Sequence, residues 1–390
     1  MSEEEGHLTR RYATPALVAA GRLLAEWMKA AGLTVTVDPA GNVRGRTAAD
    51  GAPLVLGSHY DTVCDAGRYD GPLGVLLAIE VAERSTGPLE VIAFADEEGV
   101  RFSVAYLGSS AYRGRFSREW LSLVDRDGIT LAEALADAGG DGEAVARLES
   151  EEIAGYLEAH IEQGPVLEDE SLPVGVVSAI CGQTRARAVL GGAAGHAGTV
   201  PADLRTDALS GAAELVLTVE RVMRETDGLV ATVGELVVEP GAANVIPGRV
   251  ALSVDVRHAT DSVREKALSG IETSARELAA GRGLELEWSV VQSTPAVAMD
   301  TELSACLADA IAAQGMEVRR LVSGAGHDAV VVGQDAPAAM LFVRCRGGIS
   351  HSPLESVEAG DVVVALRVLE DAVRRWGASR APGGGGSPRS

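Results

Sequence analysis

Three short apolar runs in this chain each lead to a side chain that binds metals or moves protons. Leu54-Val55-Leu56-Gly57 leads to His59. Leu89-Glu90-Val91-Ile92-Ala93-Phe94-Ala95 leads to Glu97 and Glu98. Ala339-Met340-Leu341-Phe342-Val343 leads through a loop to His351. Runs this short, bounded by turn residues, read as buried strands. Helical periodicity lies between them. Thr14 reads as an N-cap with Pro15 at the first helical position, followed by an apolar stripe of Leu17, Leu24, Trp27 and Met28 that ends near Gly32. Residues 73–82 read as a helix that begins beside Asp70. Strands with reactive residues at their carboxyl ends and helices between them define an α/β fold.

The middle third has a different pattern. Residues 185–190 alternate as a strand, and 203–224 read as a helix whose apolar residues include Leu209, Ala213, Leu217, Val219 and Val222. Strands follow at 229–238 and 250–256, then a helix at 263–278 and a strand at 284–291. This β-α-β-β-α-β order predicts a four-stranded α+β unit at 176–292. The expected architecture is a catalytic domain with a mixed central sheet flanked by helices, formed by 1–175 and 293–378 and interrupted by that insert. The glycine-rich end, 379–390, is expected to be a disordered tail.

Charge and cysteine usage narrow the function. The net charge of −22 argues against a nucleic-acid groove or an anionic membrane surface as partner. Cys64, Cys181, Cys306 and Cys345 are scattered and form no CxxC pair, so neither a disulfide framework nor a thiolate zinc site is expected. No apolar run reaches transmembrane length, and the acidic start Met1-Ser2-Glu3-Glu4-Glu5 is unlike a signal peptide. A cytoplasmic location is expected.

The candidate ligands are His59, Asp70, Glu98, His160 and His351. Taken singly, each has an ordinary structural explanation: a cap, an Asp-Gly turn, a solvated acidic turn, a core histidine, a loop residue. Taken together, three imidazoles and two carboxylates can hold two divalent metals with one carboxylate between them, and such a pair activates water at neutral pH. Asp61, two residues after His59, can orient that imidazole. Adjacent carboxylates after a buried strand can divide their work, one ligating and the other taking a proton from water. The combination predicts hydrolysis of an unreactive amide or ureide.

At these motifs the chain resembles the M20 metallopeptidase superfamily, in its hydantoinase/carbamoylase branch. The resemblance rests on Gly57-Ser58-His59-Tyr60-Asp61-Thr62-Val63, Glu97-Glu98-Gly99-Val100-Arg101-Phe102 and His160-Ile161-Glu162-Gln163-Gly164-Pro165, and spans nearly the whole chain. It implies one metal on His59 and His160, another on Glu98 and His351, and Asp70 bridging them, with Glu97 as general base. The metals would be zinc or manganese, with cobalt or nickel as further options. The insert resembles a lid and dimerisation domain. Gly195-His196-Ala197-Gly198-Thr199 matches its histidine motif, so His196 would polarise the scissile carbonyl in the active site of a homodimer partner. Gln163, Asn244, Arg257 and His327 match substrate-binding positions. The implied substrate is a small ureido acid, allantoate with release of ammonia. The alternative is an N-carbamoyl-L-amino acid hydrolase or a beta-ureidopropionase, with an acylase, a peptidase or a noncatalytic homologue behind it.

Overall fold

The computed structural model describes residues 1–380. The chain divides into two compact units, one formed by Met1–Ser178 with the chain from Met299 onward, the other by Ala179–Ala298.

The larger unit is built on a mixed sheet. Its strands are β1 (Thr34–Val37), β2 (Val43–Arg46), β3 (Leu54–His59), β4 (Leu89–Phe94), β5 (Gly155–Ile161), β6 (Val174–Ile180), β7 (Arg320–Ser323) and β8 (Ala338–Val343). They lie in the order β1-β2-β4-β3-β5-β8-β6, and β7 also pairs with β6. The centre is parallel, from β4 through β3 and β5 to β8, while the β1-β2, β2-β4 and β8-β6 pairs are antiparallel. Every residue of β3, β4, β5 and β8 is buried. Strands covered on both faces read as continuous apolar runs, which is why three of these four stand out in the sequence. β5 does not, because Glu158 and His160 interrupt its apolar pattern; no element was expected there, yet it lies in the middle of the sheet. Each fully buried Ile92, Phe94 or Leu157 contributes about 1.5–3 kcal/mol through lost water contact.

Helices flank this sheet. In α1 (Pro15–Ala30), Thr14 caps the N-terminus by accepting from the Leu17 N–H. Leu17, Leu24 and Met28 are buried, but Trp27, expected on the same stripe, is 44% exposed. α2 (Pro72–Glu83) starts directly after Asp70 and Gly71. α3 (Thr301–Ala313) packs against α4 (Ala359–Arg380). α4 corrects the expected tail boundary: Ser379 and Arg380 are helical, held by buried Trp376, over whose ring the Arg380 guanidinium lies at 4.0 Å. The rest of the expected tail lies outside the described residues. Among the described residues, no helix is long and apolar enough to cross a membrane.

The smaller unit is an antiparallel sheet with two helices. Leu236–Glu239 pairs with Arg249–His258, which pairs with Gly182–Gly191, which pairs with Glu285–Thr294. The strand expected over 229–238 is broken into Val230–Thr232 and Leu236–Glu239, both on Arg249–His258. The break contains Gly234, and the Ser253 hydroxyl accepts from the Glu235 N–H there. The first helix begins at Ala208 rather than 203, because Asp207 caps it through the Leu209 and Ser210 N–H groups. Its buried face is Ala208, Gly211, Ala212, Leu215 and Val219. Of the expected apolar residues, Val219 is buried and Val222 half-buried, but Leu209, Ala213 and Leu217 are exposed, Leu217 at 62%. The insert was expected at 176–292, but β6 continues the large sheet as far as Ile180 and the last insert strand reaches Thr294.

Candidate active site

Asp70 is the centre of the arrangement. Its Oδ1 lies 3.1 Å from His160 Nε2 and 3.6 Å from His59 Nε2. Its Oδ2 lies 3.1 Å from His351 Nε2, and that nitrogen is 3.5 Å from Glu98 Oε1. One carboxylate therefore faces two ligand groups with two different oxygens. The potential ligand atoms of His59, Asp70 and His160, and those of Asp70, Glu98 and His351, each lie within 4.8 Å of one another. Burial alone would raise the Asp70 carboxyl, but hydrogen bonds with His160, His351 and His59 outweigh it and hold the group well below the usual carboxylate range.

The local chain explains why these groups meet. His59 ends β3, Glu97 and Glu98 follow β4, and His160 lies within β5, so neighbouring parallel strands deliver them to one end of the sheet. Asp70 sits at the mouth of α2. Gly71 has φ 80° and ψ −63°, and a Cβ there would stand 2.6 Å from the His59 ring. Glu355 Oε1 accepts from the Tyr69 and Asp70 N–H groups at 2.7 and 3.1 Å. Ser350 Oγ donates to Asp70 Oδ2 at 3.0 Å and also lies 3.3 Å from Glu355 Oε2. Ser350 and Glu355 thus tie the His351 loop to Asp70. Neither was singled out in the sequence, although Ser350 directly precedes His351 and Glu355 stands four residues after it.

Asp61 serves both strand ends. Its Oδ1 is 3.3 Å from His59 Nδ1 and accepts from the Glu97 N–H at 3.0 Å, while Oδ2 accepts from the Glu98 N–H at 3.3 Å. With Nδ1 turned to Asp61, His59 presents Nε2 to Asp70. His160 does the same through Nδ1 to the Ile161 carbonyl at 2.9 Å. A second partner of this kind sets the tautomer and orientation of a ligating imidazole. Glu97 is buried within reach of His59 and Glu98. Burial, with Glu98 and further acids nearby, pushes its carboxyl well above the usual range despite His59. Burial likewise pushes Glu98 up to about 7.

Two substrate candidates lie beside this cluster. The Gln163 amide nitrogen is 3.2 Å from Asp70 Oδ2 and 3.0 Å from Ser350 Oγ. The buried His327 ring packs edge-on to His160 with centroids 4.4 Å apart. The remaining candidates belong to the smaller unit. There His196 and Asn244 come together: His196 pairs with Val245, and the Ala197 N–H donates to the Asn244 carbonyl. The Gly198 N–H donates to His196 Nδ1 at 3.1 Å, which leaves the ring proton on exposed Nε2. Arg257 forms a fork with Asp255, at 2.8 and 3.2 Å.

The donor set fits divalent cations. It is all imidazole and carboxylate, the lone pairs converge, and Asp70 spans two groups. Imidazoles and carboxylates gathered in this way beside the carboxyl ends of parallel strands, with a further buried carboxylate at Glu97, are those of a metal-dependent hydrolase. Within that class, the chain belongs to Peptidase family M20/M25/M40, which matches residues 55–375. It is 41% identical to a probable allantoate deiminase of Oryza sativa, covering 94% of this chain and 84% of the relative. It is 38% identical to an N-carbamoyl-L-amino acid amidohydrolase of Geobacillus stearothermophilus, covering 94% and 93%. Its fold is similar to that of a hydantoinase/carbamoylase family amidase from Burkholderia multivorans, with a TM-score of 0.90, 36% identity and coverage of 96% and 94%.

Proposed function

We propose that this hydrolase cleaves the C–N bond of a small ureido acid, with allantoate as substrate and ammonia as product. The observation that carries the reaction class is Asp70, with its two oxygens turned to two separate ligand groups. His59 and His160 are assigned to one divalent ion, Glu98 and His351 to another, with Asp70 shared; zinc, manganese, cobalt and nickel all suit such ligands. When bound, the ions supply Lewis acidity and water of lowered pKa. The chain's own groups do the rest. Glu97 takes a proton from the attacking water and returns it to the leaving nitrogen. Asp61 keeps His59 and the Glu97 backbone in register. Gln163, Asn244, His327 and Arg257 are assigned to substrate binding; a substrate carboxylate must compete with Asp255 for the Arg257 fork.

The choice of allantoate is supported by the identity to plant allantoate deiminases, 41% and 40%. The similarity to N-carbamoyl-L-amino acid amidohydrolases supports the alternative. Ammonia release by metal-reconstituted protein separates the two. Faster turnover of allantoate is the expected result, and faster turnover of N-carbamoyl-L-amino acids would replace the substrate while leaving the roles in place.

His196 is assigned to the scissile carbonyl, supplied by a second copy of the chain, and a homodimer is part of the proposal. Its support is the uncovered apolar side of helix Ala208–Glu225, where Leu209 and Leu217 are exposed. A charge there should separate the copies. Leu217→Glu is expected to sediment as a monomer and to lose about 10²-fold in turnover, the typical loss of one transition-state donor. A monomer with full activity would remove both the dimer and the donor role.

A further inference from the structure

The turn Gly324-Ala325-Gly326 joins Ser323, the last residue of β7, to His327. Ser323 Oγ lies 2.9 Å from the Ala325 carbonyl oxygen and 2.9 Å from His327 Nε2. A hydroxyl has one proton to donate, and a carbonyl oxygen can only accept. Both bonds form together in one way: Ser323 donates to Ala325, and His327 Nε2–H donates to Ser323. His327 is 1% exposed, and its hydrogen bond is to a hydroxyl. With Nε2 committed as the donor to Ser323, Nδ1 is the ring nitrogen left to accept a hydrogen bond. Among the described residues, Nδ1 has no hydrogen-bond partner.

The turn itself is held in place. The Ala329 N–H, two residues past His327, donates to Glu158 Oε2 at 3.1 Å, and Glu158 Oε1 accepts from Ser58 Oγ at 2.9 Å. Gly326 has no room for a side chain, since a Cβ would stand 1.8 Å from the Tyr106 hydroxyl. The backbone that carries His327 is thus fixed on both sides of it, and the ring packs edge-on to His160 and Phe342.

We infer that Ser323 is a positioning residue that makes His327 a fixed hydrogen-bond acceptor at Nδ1 for an N–H of the substrate's ureido group. The inference rests on the ureido-acid reading above. It gives that site a means of discrimination. A ureide or amide presents N–H to the lone pair, whereas an ester presents oxygen and meets repulsion. A site built to bond a substrate N–H discriminates strongly against analogues lacking it, because its own polar group is then left unpaired.

Two measurements on the zinc-loaded protein test this. Imidazole ¹⁵N spectra, assigned by comparison with His327→Gln, are expected to show Nε2 protonated and Nδ1 unprotonated in the resting enzyme. A protonated Nδ1 would overturn the inference, whatever the substrate proves to be. In kinetics, Ser323→Ala is expected to raise KM for the ureido substrate about tenfold, the weight of one hydrogen bond, with kcat little changed. Ser323→Thr, which keeps the hydroxyl, should restore KM to near the wild-type value. A Thr variant as impaired as the Ala variant, or a loss confined to kcat, would sink the positioning role. Wild-type protein that turns over acylated but not ureido substrates would instead reject the underlying substrate reading, and the ¹⁵N spectra would still decide the tautomer.

Discussion

Glu97→Gln is expected to lower turnover by about 10³-fold while metal content and fold stay unchanged, the middle of the range for losing a general acid–base group. The amide keeps the shape of the carboxylate but cannot take a proton. Nothing that holds the backbone is disturbed, because Asp61 reaches Glu97 through its main-chain N–H. Glu98, not Glu97, approaches His351 and completes the group on the Oδ2 side of Asp70. Metal analysis beside single-turnover kinetics checks the split. A variant that turns over at near wild-type rate would remove Glu97 from the role of base. One that loses a metal equivalent would make it a ligand instead. Gln at 97 also removes a buried carboxyl that burial and neighbouring acids already disfavour in its charged form. The folded protein should therefore be no less stable.

The residues of this site were legible in the sequence to the extent that short-range pattern reveals them. His59, Glu97 and Glu98 lie at the ends of strands buried on both faces, and such strands print as apolar runs. His160 was visible as a motif but not as part of a strand, since Glu158 and His160 are polar and a period-based reading scores them against burial. The fold supplies the compensation: Glu158 is buried because Ser58 and the Ala329 N–H bond it. Glu355 and Ser323 were passed over because their roles depend on contacts that no local spacing encodes. Glu355 acts on the backbone of Tyr69 and Asp70, 286 and 285 residues away. The helix Ala208–Glu225 carries apolar residues on two sides, and periodicity does not say which side faces its own sheet. The inward side combines small Ala208, Gly211 and Ala212, which allow close approach, with Leu215 and Val219, while Leu209 and Leu217 remain outside.

Gly71→Ala is expected to weaken metal binding by about 100-fold, the upper end of what displacing a ligand's supporting shell costs, with turnover falling in step. The backbone there, φ 80° and ψ −63°, lies in the region of the rare γ-turn that side chains strain to adopt. Strain is the smaller part. The added methyl would sit 2.6 Å from Cε1, Nδ1 and Nε2 of His59, closer than unbonded carbon and nitrogen can approach. The ring has little freedom to yield, since His59 is buried, stacks on His160 and is bound through Nδ1 to Asp61. The start of α2 must move instead, and Asp70 is the residue next to it. Either displacement separates His59 from Asp70, the one carboxylate that both ligand groups share. Overpacking of this kind also costs about 1–3 kcal/mol of stability, so thermal unfolding should be followed alongside metal titration. Gly377→Ala is the matched control. It lies inside α4 with nothing within 4 Å of the new Cβ, and is expected to stabilise the helix by about 0.5–1 kcal/mol. If Gly71→Ala binds metal as tightly as the wild type while Gly377→Ala behaves as expected, the contact between Gly71 and His59 does not set the geometry of the site.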